Sequence, residues 1–151
     1  MIISVIGAGS CNNEIYKAAE EVGTLIAHRN AVLVTGGLDG VMEAASKGAS
    51  EAGGITVGIL PGFTKDDANK YVTVPITTGL SHARNIIVVR SADAVIAVSG
   101  EYGTLSEIAI ALKLDKPVIG IQTWGTIEGV ISVNTPEEAV NRAFELSAGK
   151  R

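Results

Sequence analysis

Short, unbroken runs of Val, Ile and Leu recur along this chain, and stretches with apolar residues at helical spacing lie between them. The runs stand at Ile2–Ile6, Ala31–Val34, Ile55–Leu60, Ala94–Val98 and Pro117–Ile121, with shorter candidates at Val72–Val74 and Ile131–Val133. A strand with one wet face alternates apolar and polar residues. A strand covered on both faces does not, and these do not. The intervening pattern predicts helices over Glu14–Arg29, Val41–Ala52, His82–Arg90, Thr104–Leu114 and Pro136–Ser147. The last opens on Thr135-Pro136-Glu137-Glu138, which supplies a cap, a proline at the first helical position and a capping glutamate. Strand and helix in strict alternation mean βαβ units with right-handed crossovers. The expected fold is α/β: a Rossmann-like, doubly wound, mostly parallel sheet with helices on both faces.

At 151 residues there is room for one domain, residues 1–151. A chain this long buries about 68–70% of its unfolded surface, so neither disulfide nor structural metal is needed. Cys11 is the single cysteine, which excludes an internal disulfide framework and a CxxC metal site. Lone histidines at 28 and 82, with no carboxylate cluster at ligand spacing, argue against a metal. Twelve basic against sixteen acidic residues give a net charge of −4, which argues against nucleic-acid partners. The N-terminal run lacks a basic flank, and no apolar run approaches 18 residues, so neither a signal peptide nor a membrane span is expected. A reducing cytoplasm is the expected compartment. Gly149-Lys150-Arg151 reads as a loose tail.

In such a sheet ligands bind beyond the carboxyl ends of the strands, and there the glycines gather. Gly7-Ala8-Gly9-Ser10-Cys11-Asn12 follows the first strand. It begins like a dinucleotide fingerprint but has Asn12 in place of the third glycine and no acidic residue closing the second strand. It is either a tight turn or a ligand-facing loop, with a dinucleotide disfavoured. Thr35-Gly36-Gly37-Leu38-Asp39-Gly40 precedes the second helix, where close backbone approach and a helix N-terminus make an anion cradle. Ser99-Gly100-Glu101-Tyr102-Gly103-Thr104 makes a second such loop. Neither is a P-loop. Gly7, Gly9, Gly36, Gly37, Gly40, Gly100, Gly103 and Thr104 are therefore the candidate phosphate- or nucleotide-binding residues. Arg84, at a helix start on the same edge, could fork onto an anion. Glu107 has two readings: the last residue of a capping box begun by Thr104, or a carboxylate of the site. Cys11 reads as a spectator thiol, and Asp93 as serving the turn into a strand.

Taken together, Gly36-Gly37-Leu38-Asp39-Gly40-Val41-Met42, Gly53-Gly54-Ile55-Thr56-Val57-Gly58-Ile59-Leu60-Pro61, Ala83-Arg84-Asn85 and Gly103-Thr104-Leu105-Ser106-Glu107 resemble the lysine-decarboxylase-like superfamily grouped around the LOG (lonely guy) phosphoribohydrolases. The resemblance runs from about Ile2 to Ile121 and looks closest to a short branch that includes molybdenum cofactor carrier proteins. LOG-type enzymes cleave the N-glycosidic bond of nucleoside 5′-monophosphates. Their signature, Pro-Gly-Gly-x-Gly-Thr-x-x-Glu with an upstream arginine, implies Glu107 and Arg84 as the catalytic pair. The carboxylate would stabilise an oxocarbenium-like transition state while activating water.

Three departures stand out. Ser99 replaces the signature's proline, Glu101 its second glycine, and Asn85 the lysine that LOG enzymes usually carry after the arginine. A carboxylate ~4 Å from a bound anion costs around 4 kcal/mol at an effective dielectric near 20. Either Glu101 points away, the anion sits elsewhere, or the ligand differs. The resemblance thus implies a protein that binds a nucleotide or other phosphorylated small molecule, requires no cofactor, and forms a homodimer or higher homo-oligomer. It would cleave nucleoside monophosphates, carry a molybdopterin-like ligand uncleaved, or be a structural or regulatory oligomer with a vestigial site. Lysine decarboxylation is discounted, because nothing places a lysine for pyridoxal phosphate.

Overall fold

The computed structural model describes residues 1–149; Lys150 and Arg151, the end of the expected tail, lie outside the described residues. In chain order the elements are β1 (Ile2–Gly7), α1 (Asn13–His28), β2 (Val32–Thr35), α2 (Val41–Glu51), β3 (Thr56–Leu60) and β4 (Val74–Thr77). There follow α3 (Asn85–Arg90), β5 (Ala94–Val98), α4 (Tyr102–Lys113), β6 (Val118–Ile121), β7 (Val130–Val133) and α5 (Pro136–Ala148). All seven strands pair in parallel in one sheet, in the order β4-β3-β2-β1-β5-β6-β7. The doubly wound α/β fold expected from the strand runs is the fold observed.

The unbroken apolar runs are explained by what covers them. On one face, Ile3, Val5, Leu33 and Ile96 pack with residues of α1, α2 and α5. On the other, Ile6, Val34, Val95 and Ala97 pack with residues of α3 and α4. Every residue of β5, the strand next to β1 at the centre, is buried. Asp93 does serve the turn into it: its carboxylate accepts a hydrogen bond from Ile2 N at 2.8 Å, tying together the starts of neighbouring strands.

Three elements depart from the sequence expectation by more than one residue. β4 runs from Val74 to Thr77 rather than ending at Val74. It contains Pro75, which breaks the apolar run but is tolerated on an edge strand because no ladder needs its missing N–H. The helix expected over His82–Arg90 begins instead as a 3-10 turn, Ser81–Arg84. Ser81 N donates to Pro61 O at 3.0 Å with Ser81 at φ 53, which tightens the entry. Finally, α4 starts at Tyr102, two residues before Thr104, and that shift decides what Glu107 is.

Candidate functional site

The chain runs from β1 outward through β2, β3 and β4, then returns to place β5 on the other side of β1. At that reversal the loops leaving β1 and β5 diverge and open a crevice, the place where sheets of this kind hold ligands. A cavity of about 150 Å³ lies there. The ends of β1 and β2 contribute Ile6, Gly7, Gly9 and Gly36, the 3-10 turn contributes His82 and Arg84, and Gly103 and Glu107 come from α4. Small-molecule pockets usually measure ~300–1,000 Å³. This one has room for a group the size of a phosphate but not for a whole nucleotide.

Arg84 is only 8% exposed. Its Nε donates to Ile59 O at 2.9 Å, Nη2 approaches Gly36 O at 3.5 Å, and Nη1 donates to Asn85 Oδ1. The guanidinium lies so close to Gly36 that a Cβ there would sit 2.7 Å from Nη2. Burial lowers its pKa from the usual value and Glu107 opposes that shift, but an arginine remains charged in any case. Glu107 is 6% exposed on the same cavity. Among the described residues it has no ion-pair partner within 4 Å and accepts no side-chain hydrogen bond. Burial without a close partner pushes its carboxyl up to about 7, and the Arg84 charge offsets only part of that.

The early start of α4 removes the capping reading of Glu107. The N-cap is Glu101, whose backbone carbonyl accepts from Leu105 N at 2.9 Å, and Thr104 lies inside the helix. Thr104 is buried beneath Gly100, where a Cβ would meet Thr104 Oγ1 at 2.3 Å and where φ is +115°. Gly100 and Thr104 therefore shape the loop without lining the cavity. The same holds for Gly37, which faces Leu60 and Gly58, and for Gly40. At φ +64°, with Ala8 O only 2.3 Å from any Cβ, Gly40 locks the two glycine loops together. Val41 N completes that lock by donating to Ala8 O at 2.9 Å. Of the residues proposed from sequence, Gly7, Gly9, Gly36, Gly103, Arg84 and Glu107 meet at the cavity. Gly37, Gly40, Gly100 and Thr104 do not.

Glu101 is exposed and does not line the cavity, so the first of its three alternatives holds. Cys11 is half-buried, and burial with the nearby Glu43 pushes its thiol up, away from a reactive thiolate. No group of three His, Cys, Asp or Glu residues suited to a metal occurs among the described residues. None of their helices is long and apolar enough to cross a membrane. The sequence reading passed over Met42 and Ile6 as lining residues and noted Asn85 only as a departure. Met42 stood within the glycine motif, but its facing depended on the turn at Gly40.

The family model of the SLOG cluster4 family matches residues 1–147. The chain belongs to the SLOG cluster4 family. Relatives bracket it on two sides. An uncharacterized protein of Archaeoglobus fulgidus is 53% identical over 97% of both chains. A cytokinin riboside 5′-monophosphate phosphoribohydrolase of Mycobacterium tuberculosis is 32% identical over 82% of this chain and 71% of its own. Among solved structures, the molybdenum cofactor binding protein of Rippkaea orientalis superposes with a TM-score of 0.91, at 39% identity over 96% of both chains. The Moco carrier protein of Chlamydomonas reinhardtii gives 0.89, at 36% identity over 98% of both. This SLOG cluster4 member thus has both a LOG-like hydrolase and carrier proteins among its similar proteins.

Proposed function

We propose that this chain binds a phosphorylated small molecule in the cavity between β1, β2 and β5, and that its cargo is a molybdopterin-type cofactor carried without cleavage. The observation that carries this reading is the wall of the cavity. Glycine backbone borders it on both sides of the sheet reversal, and Arg84 is the permanent cation among its described lining residues. Such a wall suits a phosphate group, which backbone amides and a guanidinium approach closely. Carriage rather than cleavage is supported by the likeness to the two carrier-type structures over nearly the whole chain. A carrier needs affinity alone, with nothing tightened in a transition state.

Phosphoribohydrolase activity is the second reading. Glu107 favours it: an unpaired carboxyl on the same cavity, with a pKa near neutrality, suits acid–base work on a glycosidic bond. The 32% identical hydrolase points the same way. One experiment separates them. The purified protein is incubated with molybdenum cofactor and, separately, with a panel of nucleoside 5′-monophosphates. Carriage predicts cofactor that stays bound and intact through gel filtration, is lost in Arg84→Met, and is accompanied by no free base. Base release that disappears in Glu107→Ala would overturn carriage and establish the hydrolase.

Assembly as a homodimer or higher homo-oligomer belongs to the same proposal. It is supported by the outer face of α3 and α4, where Ile86 is exposed beside Ile110 and Leu114. A cytoplasmic setting also remains part of the proposal, supported by the single half-buried thiol.

A further inference from the structure

Asn85 is buried on the cavity wall, one position after Arg84 and at the first residue of α3. The orientation of its amide follows from its neighbour. Arg84 Nη1 can only donate, so the atom facing it is Asn85 Oδ1, and Nδ2 is left to donate elsewhere. Nδ2 donates to Ser106 Oγ, 3.2 Å away on α4. Ser106 Oγ in turn donates to Gly103 O at 2.6 Å. Gly103 lines the same cavity. One line of hydrogen bonds therefore runs from the guanidinium to the first turn of α4.

We propose that Asn85 is the positioning residue of the anion site: through Ser106 it fixes the Arg84 guanidinium to the first turn of α4, and, being neutral, it leaves the Arg84 charge to the ligand. The claim rests on the reading that this cavity takes a phosphorylated ligand. Three contacts on different elements hold the guanidinium: Ile59 O from β3, Asn85 Oδ1 from α3 and, at 3.5 Å, Gly36 O just after β2. Because the Ser106 hydroxyl gives its proton to Gly103 O, a side chain joining it to Arg84 in this arrangement accepts on one side and donates on the other. An aspartate could accept from Arg84 but would neutralise it. A lysine could not accept at all. Asparagine at this position keeps the arginine ordered without adding a counter-charge beside it.

The test uses the full chain and Asn85→Asp, Asn85→Ala and Ser106→Ala. Inorganic phosphate and adenosine 5′-monophosphate are titrated calorimetrically, urea midpoints are measured, and the Arg84 side-chain N–H signals of ¹⁵N-arginine protein are assigned with Arg84→Lys. Asn85→Asp should keep ordered Arg84 signals and an unchanged midpoint while losing about tenfold or more in affinity for both probes. Ser106→Ala should lose roughly three- to tenfold with little change in midpoint. Asn85→Ala should broaden the Arg84 signals. Unchanged affinity in Asn85→Asp, or Arg84 signals as sharp in Asn85→Ala and Ser106→Ala as in the wild type, would overturn the proposal. If the wild type binds neither probe, the ligand reading fails by itself, and the Arg84 signals then decide whether Asn85 positions the guanidinium. Should Asn85→Ala not fold, Ser106→Ala supplies the same readout.

Discussion

Glu107 is a carboxyl whose burial sets folding against ionisation. Its pKa rises from 4.5 to about 7 because it is buried, with Arg84 too distant to compensate. The folded state then holds the proton more tightly than the unfolded chain. The cost of ionisation is absent below about pH 4.5 and grows as the pH rises through 7, to about 3 kcal/mol. Glu107→Gln removes the charge and with it this loss. Urea unfolding should show wild type and variant nearly equal near pH 4.5, and the variant more stable by about 3 kcal/mol at pH 8. A gap that does not widen with pH would show that Glu107 ionises as freely as an exposed carboxylate. Gly103 offers the complementary test, since it lines the cavity and a Cβ there meets no atom within 4 Å. Gly103→Ala should leave stability unchanged or raise it by roughly 0.5–1 kcal/mol, because the residue is helical. The same methyl should weaken phosphate-ester binding several-fold by calorimetry.

Two stretches of α4 and α5 spell the same pattern and come to different ends. Thr135 is the N-cap of α5, where its hydroxyl accepts from Glu138 N at 3.2 Å and the Glu138 carboxylate accepts from Asn134 N at 2.9 Å. Thr135→Ala should therefore cost about 1 kcal/mol in thermal or urea unfolding, without effect on ligand binding. Thr104 and Glu107 have the same spacing, yet α4 has already begun at Tyr102, so neither acts as a cap. The pattern was legible in both places. What differed was where each helix started, and the left-handed backbone at Ser99 and Gly100 decided that for α4. β4 teaches the converse lesson. Pro75 disguised a strand because the apolar run does not reveal which strand will lie at the edge.

At the scale of the molecule, the cavity exists because the ends of β2, β1 and β5 lie side by side where the strand order reverses. The same topology places α3 and α4 together on one face, with Ile86 46% exposed on the outside. Joined to Ile110 and Leu114, it makes an apolar groove of the kind that a second subunit covers. Sedimentation should find the wild type as a dimer or larger. Ile86→Glu, which changes an exposed position and so spares the fold, should shift it toward monomer. A wild type that sediments as a monomer at micromolar concentration would remove the oligomer from the proposed function.

The order of elements, the parallel sheet and the loops that would carry chemistry were all determined by the sequence alone. Each depends on local causes: continuous Val and Ile runs, helical spacing, and glycines before helix starts. Arg84 and Glu107 stayed open candidates on local grounds, and it was the family resemblance that paired them. Only the tertiary structure brought them to one cavity, turned Glu101 away from it, set Gly37, Gly40, Gly100 and Thr104 to packing the loops, and linked Asn85 through Ser106 to Gly103. Those outcomes depend on which strand ends become neighbours and on how far apart charges lie once buried. Both follow from packing between segments far apart in the chain, which no local pattern records.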